Sequence, residues 1–158
     1  MLRSAGRVTT ITLLVLLVAC GGGKAATPAR DTAVVDAGTP TTAPATGATH
    51  DVKMIGDANG YRFDPANVTI RAGDAVRWTN VSGGPHNVSF WADSMPAGAA
   101  AQLGAQMPNT TDPLIGPLLV EPNAAYTVAF AGLAPGVYHY YCTPHLALGM
   151  RGTITVRP

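Results

Sequence analysis

Charge is what this 158-residue chain has least of. Asp, Glu, Lys and Arg make up 12% of it, about half the usual share, and ten bases against nine acids leave a net charge of +1. There is no basic tract or stripe, so nothing points to nucleic acid as a partner. Cysteine is nearly absent as well. Cys20 and Cys142 lie in unlike surroundings, which excludes a disulfide framework and means each must be explained separately. Long apolar runs are missing too. The longest, Ile11 to Ala19, is about half of the roughly 18 to 20 residues that a membrane-spanning helix needs.

That run has a different meaning at its position. Arg3 and Arg7 precede it and small residues close it, the three-part pattern of an export signal. Its ending, Leu17-Val18-Ala19-Cys20, resembles the bacterial lipobox. The resemblance implies that Cys20 is lipidated and becomes the first mature residue, with residues 1–19 removed. A free thiol there is out of place in an oxidising compartment, whereas two or more acyl chains hold a protein stably on a membrane. The plainer alternative is an ordinary signal peptide with an incidental cysteine. Localisation is therefore expected to be exported and lipid-anchored to a bacterial membrane, on its periplasmic or cell-surface side.

Residues 20–49 read as the lipidated cysteine followed by a tether. Of the 29 residues from Gly21 to Thr49, 23 are Ala, Thr, Pro or Gly, and no hydrophobic period of 2 or 3.6 survives. Such a segment cannot bury enough apolar surface to offset its ordering entropy. As a coil it would span about 30 Å, keeping the following domain close to membrane partners.

Residues 50–158 form the domain. Short β-rich runs (Val52–Ile55, Asn67–Ile70, Ala75–Asn80, His86–Trp91, Ala124–Phe130, Gly136–Cys142, Gly152–Val156) alternate with Gly and Pro turns. This predicts an all-β antiparallel sandwich or barrel. The Ala-rich stretch Ala97–Gln106 reads as a short helix within a long loop, and 108–117 as loop. Val76 and Trp78 fall on one face of their strand. Counting back by twos from an inward Cys142 puts Tyr140 and Tyr138 inside and His139 and Tyr141 outside. Trp78 and Phe90 are assigned to the core, and Met95 and Met107 to loop and core filling.

The chemistry is concentrated in Cys142-Thr143-Pro144-His145-Leu146-Ala147-Leu148-Gly149-Met150. A soft thiolate, an imidazole and a thioether occur at C-x2-H-x4-M, and a second imidazole, His86, follows Gly83-Gly84-Pro85. Two His and one Cys with a weak axial Met form the blue-copper ligand set. A tight loop from Cys142 to Met150 can fold three donors around one ion while His86 closes the site from a neighbouring strand end. Zinc fits less well, because a thioether is a poor zinc ligand.

Pro85–Phe90, Tyr138–His145 and Gly149–Gly152, with Phe63–Ile70 and Gly73–Val76, resemble plastocyanin and related cupredoxins. The resemblance spans roughly residues 52 to 157. It implies a Greek-key β-sandwich, one type 1 copper ion, and one-electron shuttling. It matches His86, Cys142, His145 and Met150 to the ligand positions, and Asn87 to an asparagine that ties the ligand loops together. It also implies that partners dock where the C-terminal ligand His nears the surface, here His145 followed by Leu146 and Leu148. Tyr141, beside Cys142, offers a second exit. The chain departs from the family's pattern in three ways: a longer segment between Trp91 and Pro122, no acidic cluster, and a more apolar ligand loop.

The expected function is a membrane-tethered, monomeric electron carrier between redox proteins, such as cytochromes or membrane-bound electron-transfer complexes. The alternative is copper sequestration or delivery. Multicopper oxidases and copper nitrite reductases place a His beside the blue-copper Cys, but Tyr141 and Thr143 stand there in this chain. The chain is therefore not read as an enzyme.

Overall fold

The computed structural model describes residues 45–158. The leader, Cys20 and the tether up to residue 44 lie outside the described residues. Eight strands follow: β1 (Thr49–Asp57), β2 (Gly60–Asp64), β3 (Asn67–Arg71), β4 (Ala75–Asn80), β5 (Ser89–Phe90), β6 (Ala125–Ala129), β7 (Gly136–Tyr141) and β8 (Arg151–Arg157), with one helix, α1 (Ala99–Gln106). They build two four-stranded sheets, β2-β1-β4-β6 and β3-β8-β7-β5. The chain passes repeatedly from one sheet to the other, giving the cupredoxin sandwich that the resemblance implies.

Side-chain alternation fills the space between the sheets. Val76 and Trp78 of β4, Tyr138 and Tyr140 of β7, and Ile154 and Val156 of β8 all point inward and are buried. Full burial of a large apolar side chain contributes about 1.5 to 3 kcal/mol, so these positions fix the register of each strand. Trp78 and Phe63 both pack on Tyr140, with ring centroids 5.5 and 4.6 Å apart. The Tyr140 hydroxyl satisfies itself by donating to the Ala66 carbonyl at 3.1 Å. His139 faces outward and is exposed, as the count from Cys142 requires.

Four features differ from the sequence reading. First, the sheets are mixed: β1 pairs parallel with β4, and β3 parallel with β8. Alternation is the same in either direction, so the pattern cannot distinguish them. β2 and β3 supply the crossover that the parallel β1–β4 pair needs. Second, β2 is an additional strand. Asp57 pairs with Gly60 across a two-residue turn, and Asn59 donates its N–H to the Asp57 carboxylate at 2.8 Å. Third, the expected strand His86–Trp91 shrinks to Ser89–Phe90. The rest pairs with the returning long segment, through His86 to Leu119 and Gly116 N–H to the Val88 carbonyl at 2.9 Å. Fourth, residues before 50 already take part in the domain. Thr49 already lies in β1, and Thr46 and Gly47 both donate N–H to the Gly73 carbonyl at 3.0 Å.

Helix α1 forms where expected. Alanine is the best helix former, and Ala99 and Leu103, one turn apart, are both buried. Pro108 follows its end.

Strands β4 and β8 both run from pole to pole of the sandwich, about 20 Å at the usual rise. Asp74 and Arg157 mark one pole, and Asn80 and Arg151 the other. The metal-ligating residue types gather at the second.

Candidate metal centre

The loop from Cys142 to Met150 is closed by its own backbone. The Cys142 N–H donates to the Met150 carbonyl at 3.1 Å, the His145 N–H to Cys142 at 3.2 Å, and the Met150 N–H to His145 at 3.2 Å. Leu146–Leu148 make a single 3-10 turn. Gly149, at φ +85°, ends it in the left-handed region that favours glycine. Three candidate ligands are thus tied to one another by main-chain bonds that need no metal.

His86 arrives differently. Gly83 sits at φ +74°, and a Cβ on it would lie 2.5 Å from the Gly56 Cα. Glycine at both positions lets the loop press against β1. The Ser82 carbonyl then accepts from two donors, the Gly56 N–H at 2.8 Å and His86 Nε2–H at 2.9 Å. Committing Nε2 as a donor leaves Nδ1 as the free acceptor nitrogen. Asn80 steadies the other side, its amide donating to the carbonyls of Leu119, Val120 and Glu121 at 3.0, 3.2 and 3.2 Å.

The three donor atoms form a small triangle. His86 Nδ1 and His145 Nδ1 are 3.2 Å apart, His145 Nδ1 and Cys142 Sγ 3.4 Å, and Cys142 Sγ and His86 Nδ1 3.7 Å. The point equidistant from all three lies about 2.0 Å from each, the length of a first-row metal–imidazole bond. Among the described residues this is the group of metal-ligating side chains that converges in this way. Met150 is fully buried at the close of the same loop. His86 and Cys142 are fully buried too, while His145 keeps 9% of its surface exposed.

The electrostatics suit a metal. Burial lowers the pKa of His86, against the opposing Ser82 bond. Burial and then the neighbouring His86 lower that of His145. Both imidazoles are therefore held neutral, the ligating form. Burial raises the Cys142 thiol, partly offset by backbone N–H groups of Asn87 and His145. Its proton is the one a metal must displace. A trigonal set of two imidazole nitrogens and one thiolate sulfur, with no carboxylate, is chemistry for copper.

Asn87 locks the two halves together. Its side-chain oxygen accepts the Thr143 N–H at 2.7 Å. Its amide donates to Thr143 Oγ1 at 3.1 Å and, at 3.3 Å each, to Ser89 Oγ and the Gly116 carbonyl. Sequence reasoning missed Tyr61, which stacks on His145 with ring centroids 3.8 Å apart and planes at 12°. The Asn59-Gly60 turn signal locates its strand, but nothing local points the ring at His145. It also missed the Ser82 carbonyl, a main-chain group with no side-chain signature.

The surface residues named from sequence divide. Leu148 is 61% exposed, while Leu146 and Tyr141 are half-buried. Tyr141 lies against Trp91 with ring centroids 4.3 Å apart. Val81, Leu118 and Val120 are further exposed apolar residues. They adjoin, respectively, Asn80 at the end of β4, the cleft edged by Thr143 and Pro144, and the His86–Leu119 pair.

Residues 48–157 match the model for copper binding proteins of the plastocyanin/azurin family. A plastocyanin of Synechococcus sp. is 42% identical over 113 residues, 72% of this chain and 76% of that one. The plastocyanin of Scenedesmus fuscus is 38% identical over 106 residues, 67% of this chain and 97% of that one. The oxidised plastocyanin of the fern Dryopteris crassirhizoma superposes with a TM-score of 0.52 at 34% identity, over 68% of this chain and all of the fern chain.

Proposed function

Because the chain belongs to the plastocyanin/azurin family of copper-binding proteins, we propose that it is a one-electron carrier, not an enzyme in its own right, tethered to the outer side of a bacterial membrane. The observation that carries this reading is the buried triangle of two nitrogens and one sulfur with a single ligand edge at the surface. His86, Cys142 and His145 would hold one copper ion, with the buried Met150 offering a thioether sulfur from the same loop. When bound, copper supplies a Cu(I)/Cu(II) couple in which sulfur favours the reduced ion and nitrogen the oxidised one.

The chain's own residues do the rest. The closed loop, the Ser82 anchor on His86 and the Asn87 cross-tie hold the donors fixed, so that little rearranges when the charge changes. Burial keeps water from the thiolate. The exposed edge of His145, with Leu148, Val81, Leu118 and Val120 at the same pole, offers an apolar contact for redox proteins such as cytochromes. The described domain carries seven acids and six bases from Asp51 onward, so docking depends weakly on salt. Lipidation of Cys20, with the tether, keeps the domain at the membrane.

The test is addition of Cu(II) to the copper-free domain. An intense blue thiolate-to-copper band with a reversible one-electron couple is expected, and Cys142→Ser abolishes the colour. A colourless, readily exchanged Cu(I) site would favour copper storage or delivery instead.

A further inference from the structure

The pole opposite the copper centre carries charge that the electron-carrier reading leaves unused. Among the described residues, the three ion pairs, Asp51–Arg77, Asp57–Arg62 and His50–Asp74, all lie in sheet β2-β1-β4-β6 or at its edge. Arg71, Arg151 and Arg157 of the other sheet pair with no carboxylate among those residues. Arg71 and Arg157 are register partners at the ends of the parallel strands β3 and β8, and both are exposed. Like charges directly opposite on neighbouring strands destabilise a sheet. Two side-by-side guanidinium forks with no acceptor become a favourable clamp once an oxyanion lies between them.

These two arginines line a cleft of about 370 Å³ with Thr69, His50, Ala48 and Asp74. Asp74 is its one carboxylate, and its oxygens are already engaged. They accept from the Ala48 N–H at 2.9 Å, the Arg71 N–H at 2.9 Å and His50 Nε2–H at 2.8 Å. The cleft thus faces solvent with donors. It also sits where the preceding chain joins the domain, since Thr46 and Gly47 bond to Gly73, next to Asp74.

We propose that this cleft binds a phosphate group, and that the phosphate is that of an anionic lipid headgroup, so that the tether pole lies on the membrane and the copper pole faces away from it. The choice of lipid rests on the membrane-tethered reading above. The phosphate chemistry rests on the paired guanidinium groups alone.

The copper-loaded domain of residues 45–158, which covers the whole length of the fern plastocyanin chain, allows a test without any acyl anchor. It should co-sediment with phosphatidylcholine vesicles containing phosphatidylglycerol and not with phosphatidylcholine alone, and added salt should release it. Each cation near an anionic surface is worth about a factor of five, so Arg71→Gln with Arg157→Gln should lower partitioning about twenty-five-fold. Arg151→Gln, at the copper pole, should leave it unchanged, and the blue band should persist in every variant. Binding that survives the double change overturns the cleft. If vesicles fail to bind but inorganic phosphate moves the NMR signals of Thr69, Arg71 and Arg157, the site stands and the lipid source is overturned. If neither ligand has an effect, both are overturned. A colourless wild-type domain with copper added would instead count against the electron-carrier reading, and Cys20 acylation is tested separately.

Discussion

Replacing Asn87 with Ala removes one side chain that bridges two parts of the chain 56 residues apart in sequence. Four hydrogen bonds disappear together. Those to the Thr143 N–H and Oγ1, at 2.7 and 3.1 Å, are the stronger, and the two at 3.3 Å the weaker. A neutral hydrogen bond contributes about 1 kcal/mol net, and a buried group left unpaired costs about 1 to 3 kcal/mol. Ser89 Oγ and Thr143 Oγ1 already lie 2.9 Å apart and can still satisfy each other, which limits the loss. The expected destabilisation is about 3 kcal/mol, which for a domain of this size lowers the melting temperature by about 10 °C. The blue band should survive, because the Asn87 group that lowers the thiol pKa is its backbone N–H, and alanine keeps it. Urea unfolding of the copper-free protein, followed by absorption after loading, measures both quantities. A loss below about 1 kcal/mol, or a vanished band with unchanged stability, would refute the cross-tie.

Other outcomes follow from the same geometry. Met150→Gln should retain copper and lower the reduction potential, since an oxygen donor favours Cu(II); a raised potential contradicts Met150 as the axial group. Leu148→Lys should slow electron transfer to the isolated partner several-fold in stopped flow with the spectrum intact, and Tyr141→Leu should do less; the reverse order places the exit at the tyrosine. Cys20→Ala should release the protein from the membrane fraction, and tight association that persists with the leader cleaved contradicts the lipid anchor. Asp74 has its pKa lowered from 3.8, first by the Arg71 N–H and then by His50. Its contribution to stability is therefore complete above the ordinary carboxylate range and is lost as pH falls through the lowered value. The urea midpoint of wild type should lie above that of Asp74→Asn by a constant margin near neutrality, and the margin should close only in acid.

Much of the centre was legible because its chemistry resides in side chains with few rivals. Cys142, His145 and Met150 stand close together in sequence, so local spacing alone brings them into one loop. His86 was legible only through its residue type and the resemblance, because its partner Leu119 comes from a long segment with no strand pattern. Alternation located Trp78, Tyr138 and Tyr140 correctly, since one buried face is a period-two signal whatever the partner. The same signal is blind to strand direction, and the parallel β1–β4 and β3–β8 pairs were missed for that reason. Tyr61 was invisible because the stack on His145 joins residues far apart in the chain, on a short strand where Phe63 alone is buried.

If Tyr141→Leu leaves the rate intact, burial of His86 and Cys142 with one edge of His145 at the surface makes the apolar pole a single electrical terminal. A donor and an acceptor that both use it must take turns, and no complex of all three can pass an electron straight through. Turnover then follows substituted-carrier kinetics: double-reciprocal plots are parallel, and each partner in excess inhibits competitively against the other. Between visits the domain must reorient as well as diffuse, so the exchange rate depends on its rotation as directly as on the reduction potential.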